Sequence, residues 1–397
     1  MIWEKVKLGE IADFSNGINF GKDAYGKGIK LIGVSNFGNR FSPDYESLDE
    51  VKEEVVRKND FLLSGDMVFV RSNGNKELVG RCMLIDCPTV SVTFSGFCIR
   101  ARLKDITKHY PTFWTYHFKN ISFRRAMSGA AVGANIQNLS QGRLSTYEAI
   151  VPDYETQVRI AKVLSAYDNL IENNQKQIKL LEEAAKRLYK EWFVDLHFPG
   201  YKDVELIDGI PKGWMRPAIG DIAEYLNGYA FKPSDWSNEG KPIIKIKEMK
   251  EGVTSSTPRN DGSNVPKHYN ISAGDILFSW SATLTAMIWN SENSLLNQHI
   301  FKVVPKDGVC REFVFQSILK KLDEFRNLTT GSTMKHIQRG KLKEVFVNFP
   351  TNKVMNDYKS VAEPIRNNIL NLQKQNILLE EARNRLLPKL MSGEIEV

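Results

Sequence analysis

The chain contains the same pattern twice, and no other feature restricts its fold as tightly. The segment Trp3-Glu-Lys-Val-Lys-Leu-Gly-Glu-Ile-Ala-Asp-Phe-Ser-Asn-Gly returns as Trp214-Met-Arg-Pro-Ala-Ile-Gly-Asp-Ile-Ala-Glu-Tyr-Leu-Asn-Gly. Ser64-Gly-Asp-Met-Val-Phe-Val-Arg-Ser returns as Ala273-Gly-Asp-Ile-Leu-Phe-Ser-Trp-Ser. Asn135-Ile-Gln with Gly142-Arg-Leu is echoed by His336-Ile-Gln with Gly340-Lys-Leu, and Leu181-Glu-Glu-Ala by Leu379-Glu-Glu-Ala. The order is the same in both halves, and the separations fall from 211 (Trp3 to Trp214) to 198 (Leu181 to Leu379). The chain is a tandem duplication with diverged insertions. Each half opens with a stretch rich in Gly, Asn, Ser and short apolar runs, which predicts a mainly β head with a few helices. Asp66-Met-Val-Phe-Val and Asp275-Ile-Leu-Phe-Ser read as buried strands entered through a Gly-Asp turn. A helical segment follows each head, after Val151-Pro152 and after Phe349-Pro350.

The helical segments carry heptads. In the first, Ile160, Tyr167, Asn174, Leu181 and Leu188 form one line and Leu164, Ile171, Ile178, Ala185 and Trp192 the other. The second repeats this 198 residues on, with Tyr358, Ile365, Leu372, Leu379 and Leu386 beside Ala362, Ile369, Asn376, Arg383 and Leu390. Pro364 predicts that the long second helix begins there, and Pro388 that it kinks or ends. Each seam holds one central asparagine, and a polar seam residue needs a partner. In an antiparallel pair, facing residues have a constant sum, which is 550 if Asn174 faces Asn376. Ile171 then faces Leu379, Ile178 faces Leu372, Leu181 faces Ile369 and Leu164 faces Leu386, apolar against apolar. The expectation is α+β: two mainly β heads separated by two long helices that form an antiparallel coiled coil and act as a spacer.

A net charge of +7 suits a polyanionic partner without demanding one. The four cysteines, Cys82, Cys87, Cys98 and Cys310, form no CxxC pair, so zinc is not expected and a reducing compartment is. Met1-Ile-Trp-Glu-Lys has charges where a signal peptide needs an apolar core, and the uncharged stretch from Ile276 to Ser291 is too short and polar to span a membrane. The expected location is the cytoplasm. Catalytic signatures are missing. The six histidines follow no metal or nucleophile pattern, no adenine-methylation motif occurs, and Gly21 to Gly28 nearly spells a P-loop but has Gly28 in the Ser/Thr place, so a flexible loop is expected there.

The run Tyr154-Glu-Thr-Gln-Val-Arg-Ile-Ala-Lys-Val-Leu-Ser-Ala-Tyr-Asp-Asn-Leu-Ile-Glu-Asn-Asn resembles the central segment of type I restriction–modification specificity subunits. So does Arg187-Leu-Tyr-Lys-Glu-Trp-Phe-Val-Asp-Leu-His-Phe-Pro-Gly; Leu386-Leu-Pro-Lys-Leu-Met-Ser-Gly-Glu-Ile resembles the family's ending, and Gly274-Asp-Ile-Leu-Phe-Ser its target-recognition-domain strand. Glu155-Thr156-Gln157 departs from the adjacent Glu-Gln that the family more often has, and Asn352 to Asn356 is looser still. The resemblance implies a non-catalytic chain with two target-recognition domains, each reading one part of a split, asymmetric site on double-stranded DNA, with the helices setting the gap. It also implies two modification subunits that bind S-adenosylmethionine and methylate adenine, and, where present, two restriction subunits that use ATP and Mg. On this chain the division would be 1–152 and 214–350 for the two recognition domains, 153–197 and 351–397 for the spacers, and 198–213 for a linker. No cofactor or metal is expected on this chain.

Base and phosphate recognition needs amide and guanidinium forks with cationic and polar groups. In the first head these are Arg71, Ser72, Asn73, Asn75 and Lys76 after the buried strand, then Arg124, Arg125, Ser128, Asn135 and Gln137 around a Gly/Ala-rich loop. In the second head they are Trp280, Ser281 and Thr283, then Thr330, Ser332, Lys335, His336 and Gln338. The two heads differ in these stretches while sharing their framework. Trp3 and Trp214 read as core anchors, while Trp192 and Phe193 fit either a partner subunit or the second head. Two other readings stay open, a stand-alone DNA-binding regulator and a coiled-coil scaffold that binds no DNA.

Overall fold

The computed structural model describes the chain except for residues 1–2, 39, 73–77, 87, 129–137, 282 and 329–336 and the side chain of Ser128. It divides into two compact units: Met1–Ile171 with Leu378–Val397, and Glu172–Ile377.

The first unit holds β1 (Trp3–Lys7), β2 (Ala12–Asn16), β3 (Tyr25–Ile32), β4 (Asp49–Val51), β5 (Met67–Val70), β6 (Cys82–Leu84), β7 (Val92–Phe94), β8 (Cys98–Leu103) and β9 (Glu148–Pro152). Its main sheet has the order β2-β8-β5-β6, its second sheet β4-β3-β7, and β1 pairs with β9. The second unit holds β10 (Leu206–Ile207), β11 (Ile210–Pro211), β12 (Ala223–Asn227), β13 (Lys241–Ile244), β14 (Arg259–Asn260), β15 (Asn270–Ile271), β16 (Ile276–Ser279), β17 (Thr285–Ile288), β18 (Ser294–Leu296) and β19 (Ile300–Pro305). Its main sheet, β12-β19-β16-β17, repeats the first unit's order strand for strand, and its second sheet is β14-β13-β18-β15. Each second sheet contains one parallel pairing, β3 with β7 and β13 with β18. The duplication read in the sequence is thus a duplication of topology.

The echoed residues are those the shared geometry requires. Along β5, Met67 and Phe69 enter one apolar cluster while Val68 and Val70 enter another, so the strand is buried on both faces and reads as a continuous apolar run. The preceding Gly65 and Gly274 sit at φ +90° and +99°, a region that penalises any Cβ. Asp66 then accepts the Leu63 backbone N–H at 2.7 Å and pairs with Arg102 at 2.6 Å. Asp275 does the same with Ser272 and Lys302, at 2.8 Å each. The repeated Asn-Gly ends on a close backbone crossing. A Cβ on Gly17 would lie 2.3 Å from the carbonyls of Phe94 and Ser95, and one on Gly228 2.1 Å from that of Asn297.

Two long helices complete the units. The central helix spans Tyr154–Tyr189 and runs into a π turn, Lys190–Val194; the terminal helix spans Asn352–Ser392. The expectation that the terminal helix starts at Pro364 and kinks or stops at Pro388 is corrected, because one continuous helix contains both. An interior proline costs about 3 kcal/mol, and buried neighbours on either side outweigh it: Tyr358, Ala362, Arg366 and Ile369 around Pro364, and Leu387, Leu390 and Met391 around Pro388. Gly21 to Gly28 is likewise no loop, since it forms a short 3-10 turn and enters β3. No helix follows it that would present N–H groups to a phosphate.

The helices pair antiparallel. In the first unit the Arg159 guanidinium donates to the Val397 carbonyl at 2.8 Å and Asp168 meets Arg383. In the second unit Asn174 Nδ2 donates to Asn376 Oδ1 at 2.9 Å, and the rings of Trp192 and Tyr358 lie 5.7 Å apart. Rising numbers on one helix meet falling numbers on the other. Of the seam residues, Leu164, Ile171, Asn174, Ile369, Leu372 and Asn376 are buried, while Ile178, Leu181, Leu379 and Leu386 are half-buried. Each unit also ties its head to a helix. Tyr116 donates to Asp168 at 2.5 Å in the first, and in the second Arg366 holds Glu312 through two contacts of 2.7 and 3.0 Å. Trp192 and Phe193 are core residues of the second unit, packed with Trp214, Phe313 and Tyr358. Among the described residues no helix is long and apolar enough to cross a membrane.

Candidate nucleic-acid interface

In each unit three chain segments converge at one end of the main sheet. In the first, β5 leads to Arg71, whose backbone N–H donates to the Phe97 carbonyl at 2.8 Å. Its own carbonyl accepts from Leu139 at 2.9 Å, and Ser72 bridges Asn138. The half-buried Arg71 guanidinium is aimed by the Gly96 carbonyl at 3.3 Å. Phe97 beside it is 63% exposed, an unusual place for a phenyl ring unless something stacks on it. In the second unit β16 leads to Trp280, whose N–H donates to the His299 carbonyl at 3.3 Å and whose carbonyl accepts from Ile337 at 2.9 Å. The Trp280 and His299 rings lie 5.5 Å apart, with exposed Gln298 next to them.

This convergence brings together Arg71 and Ser72 in one head, and Trp280 and Gln338 in the other. It also corrects an equivalence, because the hydrogen bonding makes Leu139, rather than Ile136, the counterpart of Ile337. Asn73, Asn75, Lys76, Asn135, Gln137, Thr330, Ser332, Lys335 and His336 lie outside the described residues. Arg124, Arg125 and Ser128 lie on a separate helix, Ile121–Ser128. Ser281 is buried, whereas Thr283 is exposed in the turn between β16 and β17, where Lys250 donates to its hydroxyl at 3.3 Å. Phe97, Gln298, His299 and Lys250 escaped the sequence reading. Phe97 and His299 sit at matching places just before β8 and β19, with Gln298 preceding His299, and only strand pairing turns those places into a candidate site.

The second unit also opens a groove of about 610 Å3 between the edge strand β12 and the turn Arg339–Lys343. Lys306, Arg339 and Lys343 line it with Glu224 as the acidic member. At the corresponding edge of the first unit a side chain bridges the strand. The Gln141 amide, oriented to suit its partners, donates to the Phe14 carbonyl and accepts from the Asn16 N–H at 3.1 Å each. Arg339 takes the place of Gln141, and a guanidinium cannot accept a hydrogen bond. The second head thus has a cationic groove at the edge where, in the first head, an amide is bonded to the strand.

The buried ionisable groups of the heads are structural. Burial pushes the His117 imidazole down to about 4 and the thiols of Cys82 and Cys98 up to about 12. Among the described residues no cluster of His, Cys, Asp and Glu is placed to hold a metal ion.

A sequence profile of the type I restriction modification DNA specificity domain matches residues 2–183 and 211–361. The specificity subunit of the type I restriction enzyme HindI from Haemophilus influenzae is 21% identical over 99% of both chains. That of MjaIX from Methanocaldococcus jannaschii is 25% identical over 71% of this chain and 68% of its own. The crystal structure of a type I restriction–modification S subunit from M. genitalium superposes with a TM-score of 0.57 at 14% identity, covering 98% of this chain and 96% of that one, a likeness of fold.

Proposed function

The chain belongs to the type I restriction–modification DNA specificity family, and from that premise we propose that its two heads read the two halves of a split, asymmetric DNA site. The chain is a specificity subunit; the chemistry belongs to partner subunits. In this reading 1–152 and 214–350 are the target-recognition domains, 153–197 and 351–397 the spacers, and 198–213 a linker. The helix pair sets the gap between half-sites and docks two methyltransferase subunits, which carry S-adenosylmethionine. Restriction subunits, where they join, bring ATP and Mg.

The observation that carries this reading is the matched convergence at the end of each main sheet. One framework presents Arg71, Ser72 and Phe97 in one copy, and Trp280, His299 and Gln338 in the other. Different side chains presented at matching places of a shared scaffold are what two different half-targets require. Lys306, Arg339 and Lys343 suit phosphates, which position without reading sequence.

The two kinds of contact separate experimentally. With the chain assembled on its methyltransferase partner, Arg71→Ala weakens binding about 10–100-fold on the intact site and has little further effect on DNA already altered in that half. Arg339→Ala weakens binding to all sequences alike and lowers the salt slope of log K by about one. An Arg71→Ala loss that is the same on DNA altered in either half contradicts its assignment to one half-site.

A further inference from the structure

The two helical segments are copies of each other, so each is a ready partner for its own kind in a second chain. In the repeat frame, where residues 198 apart are equivalent, the polar positions of the two seams do not coincide. Asn174 is equivalent to Leu372, and Asn376 to Ile178. Asp168 is equivalent to Arg366, and Arg383 to Ala185. In the observed pairing the two asparagines and the acid meet polar partners: Asn174 bonds Asn376 at 2.9 Å, and Asp168, 14% exposed at its side chain, is held by Arg383 and Tyr116.

Like-with-like pairing in the same register destroys each match. Two central helices would set Asn174 against Ile178 and Asp168 against Ala185, twice over by symmetry. Two terminal helices would set Asn376 against Leu372 and Arg366 against Arg383. The remaining apolar seam, Leu164, Ile171, Ile178 and Leu181 against its counterparts, tolerates either arrangement. Only the displaced asparagines and the inverted charges discriminate, and a buried amide or carboxylate left without a partner is heavily penalised.

We propose that Asn174–Asn376 and Asp168–Arg383 form a pairing code, so that the helical surface of each half accepts the opposite half and rejects the same half of a second copy of this chain. A duplicated helix would otherwise invite exchange between chains, which would yield particles with two identical reading heads.

The test uses the full chain. Asp168→Ala with Asn174→Ile makes the central helix self-complementary and removes the partners of Asn376 and Arg383. Light scattering on the size-exclusion eluate gives the wild type the mass of one chain, 45.2 kDa. It gives this variant a concentration-dependent rise to twice that mass, and adding Asn376→Leu and Arg383→Leu, which restores an apolar match with the opposite half, returns it to one chain. A variant that stays at one-chain mass up to about 100 µM overturns the proposal. Because that variant can fail to fold, a charge exchange provides a second arm. Asp168→Arg and Arg383→Asp each lower the melting temperature by several degrees, and the two together recover most of the loss. A double variant that melts no higher than the singles also overturns the code.

Discussion

Replacing Arg366 with alanine is expected to cost about 3–5 kcal/mol and to be among the most damaging single changes in the second unit. Arg366 on the terminal helix and Glu312 on the head helix Arg311–Lys320 are 5% and 1% exposed at their side chains, joined at 2.7 and 3.0 Å. The guanidinium also stacks 5.0 Å over Phe315, and Gln316 donates to the same carboxylate at 2.8 Å. Truncating the arginine leaves the carboxylate with one amide donor and no counter-charge, inside a core formed by Tyr358, Ala362 and Phe313. That uncompensated charge, rather than the lost attraction, produces the effect. Chemical denaturation of Arg366→Ala beside a Glu312→Leu, Arg366→Met double variant separates the two. The double variant is expected to lose less than the single despite losing more polar contacts, and a double variant less stable than Arg366→Ala contradicts the assignment.

The second large effect is a loss of stability with acid, centred on His117. Its imidazole sits among Phe113, Trp114, Phe118, Phe123 and Tyr147, with Nδ1 unpartnered and Nε2 3.3 Å from the Tyr147 hydroxyl. Burial pushes its pKa from 6.5 down to about 4, so the native state stays neutral where the unfolded chain has taken up a proton. The unfolded state binds more protons between those values, so stability is complete above pH 6.5 and falls as the pH drops toward 4. The size is about 2 kcal/mol between pH 7.5 and 5, approaching roughly 3 kcal/mol below pH 4. His109, also lowered by burial, acts in the same direction. Urea unfolding at pH 7.5 and 5 shows the loss in the wild type, and His117→Gln removes most of the difference between the two pH values. An equal acid loss in that variant places the proton uptake elsewhere.

The features legible in the sequence were those that repeat or that follow a strict period. The duplication foretold two mainly β heads, and their shared strand order follows because topology is copied along with the chain. The heptads foretold the antiparallel helices because an apolar stripe of that length has few other ways to leave water. The Gly-Asp turns foretold β5 and β16, since the requirement for positive φ at Gly65 and Gly274 is local. Local rules failed where packing overrode them. Pro364 and Pro388 should break a helix, yet Tyr358, Ala362 and Ile369 on one side and Leu387, Leu390 and Met391 on the other hold it continuous. The candidate site was legible only where it lies along the chain. Arg71 and Trp280 are marked by the strands they follow, but Phe97 and His299 arrive by pairing across β8 and β19, which no spacing in the sequence announces. Gln141 and Arg339 occupy equivalent places in the repeat, but what each does there depends on the strand beneath it.

Selection of bound sequences from a random DNA pool, by this chain assembled with its methyltransferase partner, tests the central claim most directly. Two short blocks of fixed sequence, unlike each other and separated by a constant number of unspecified base pairs, are the expected result, with one block blurred by Arg71→Ala and the other untouched. A single contiguous block, or two blocks whose separation varies freely, contradicts the account.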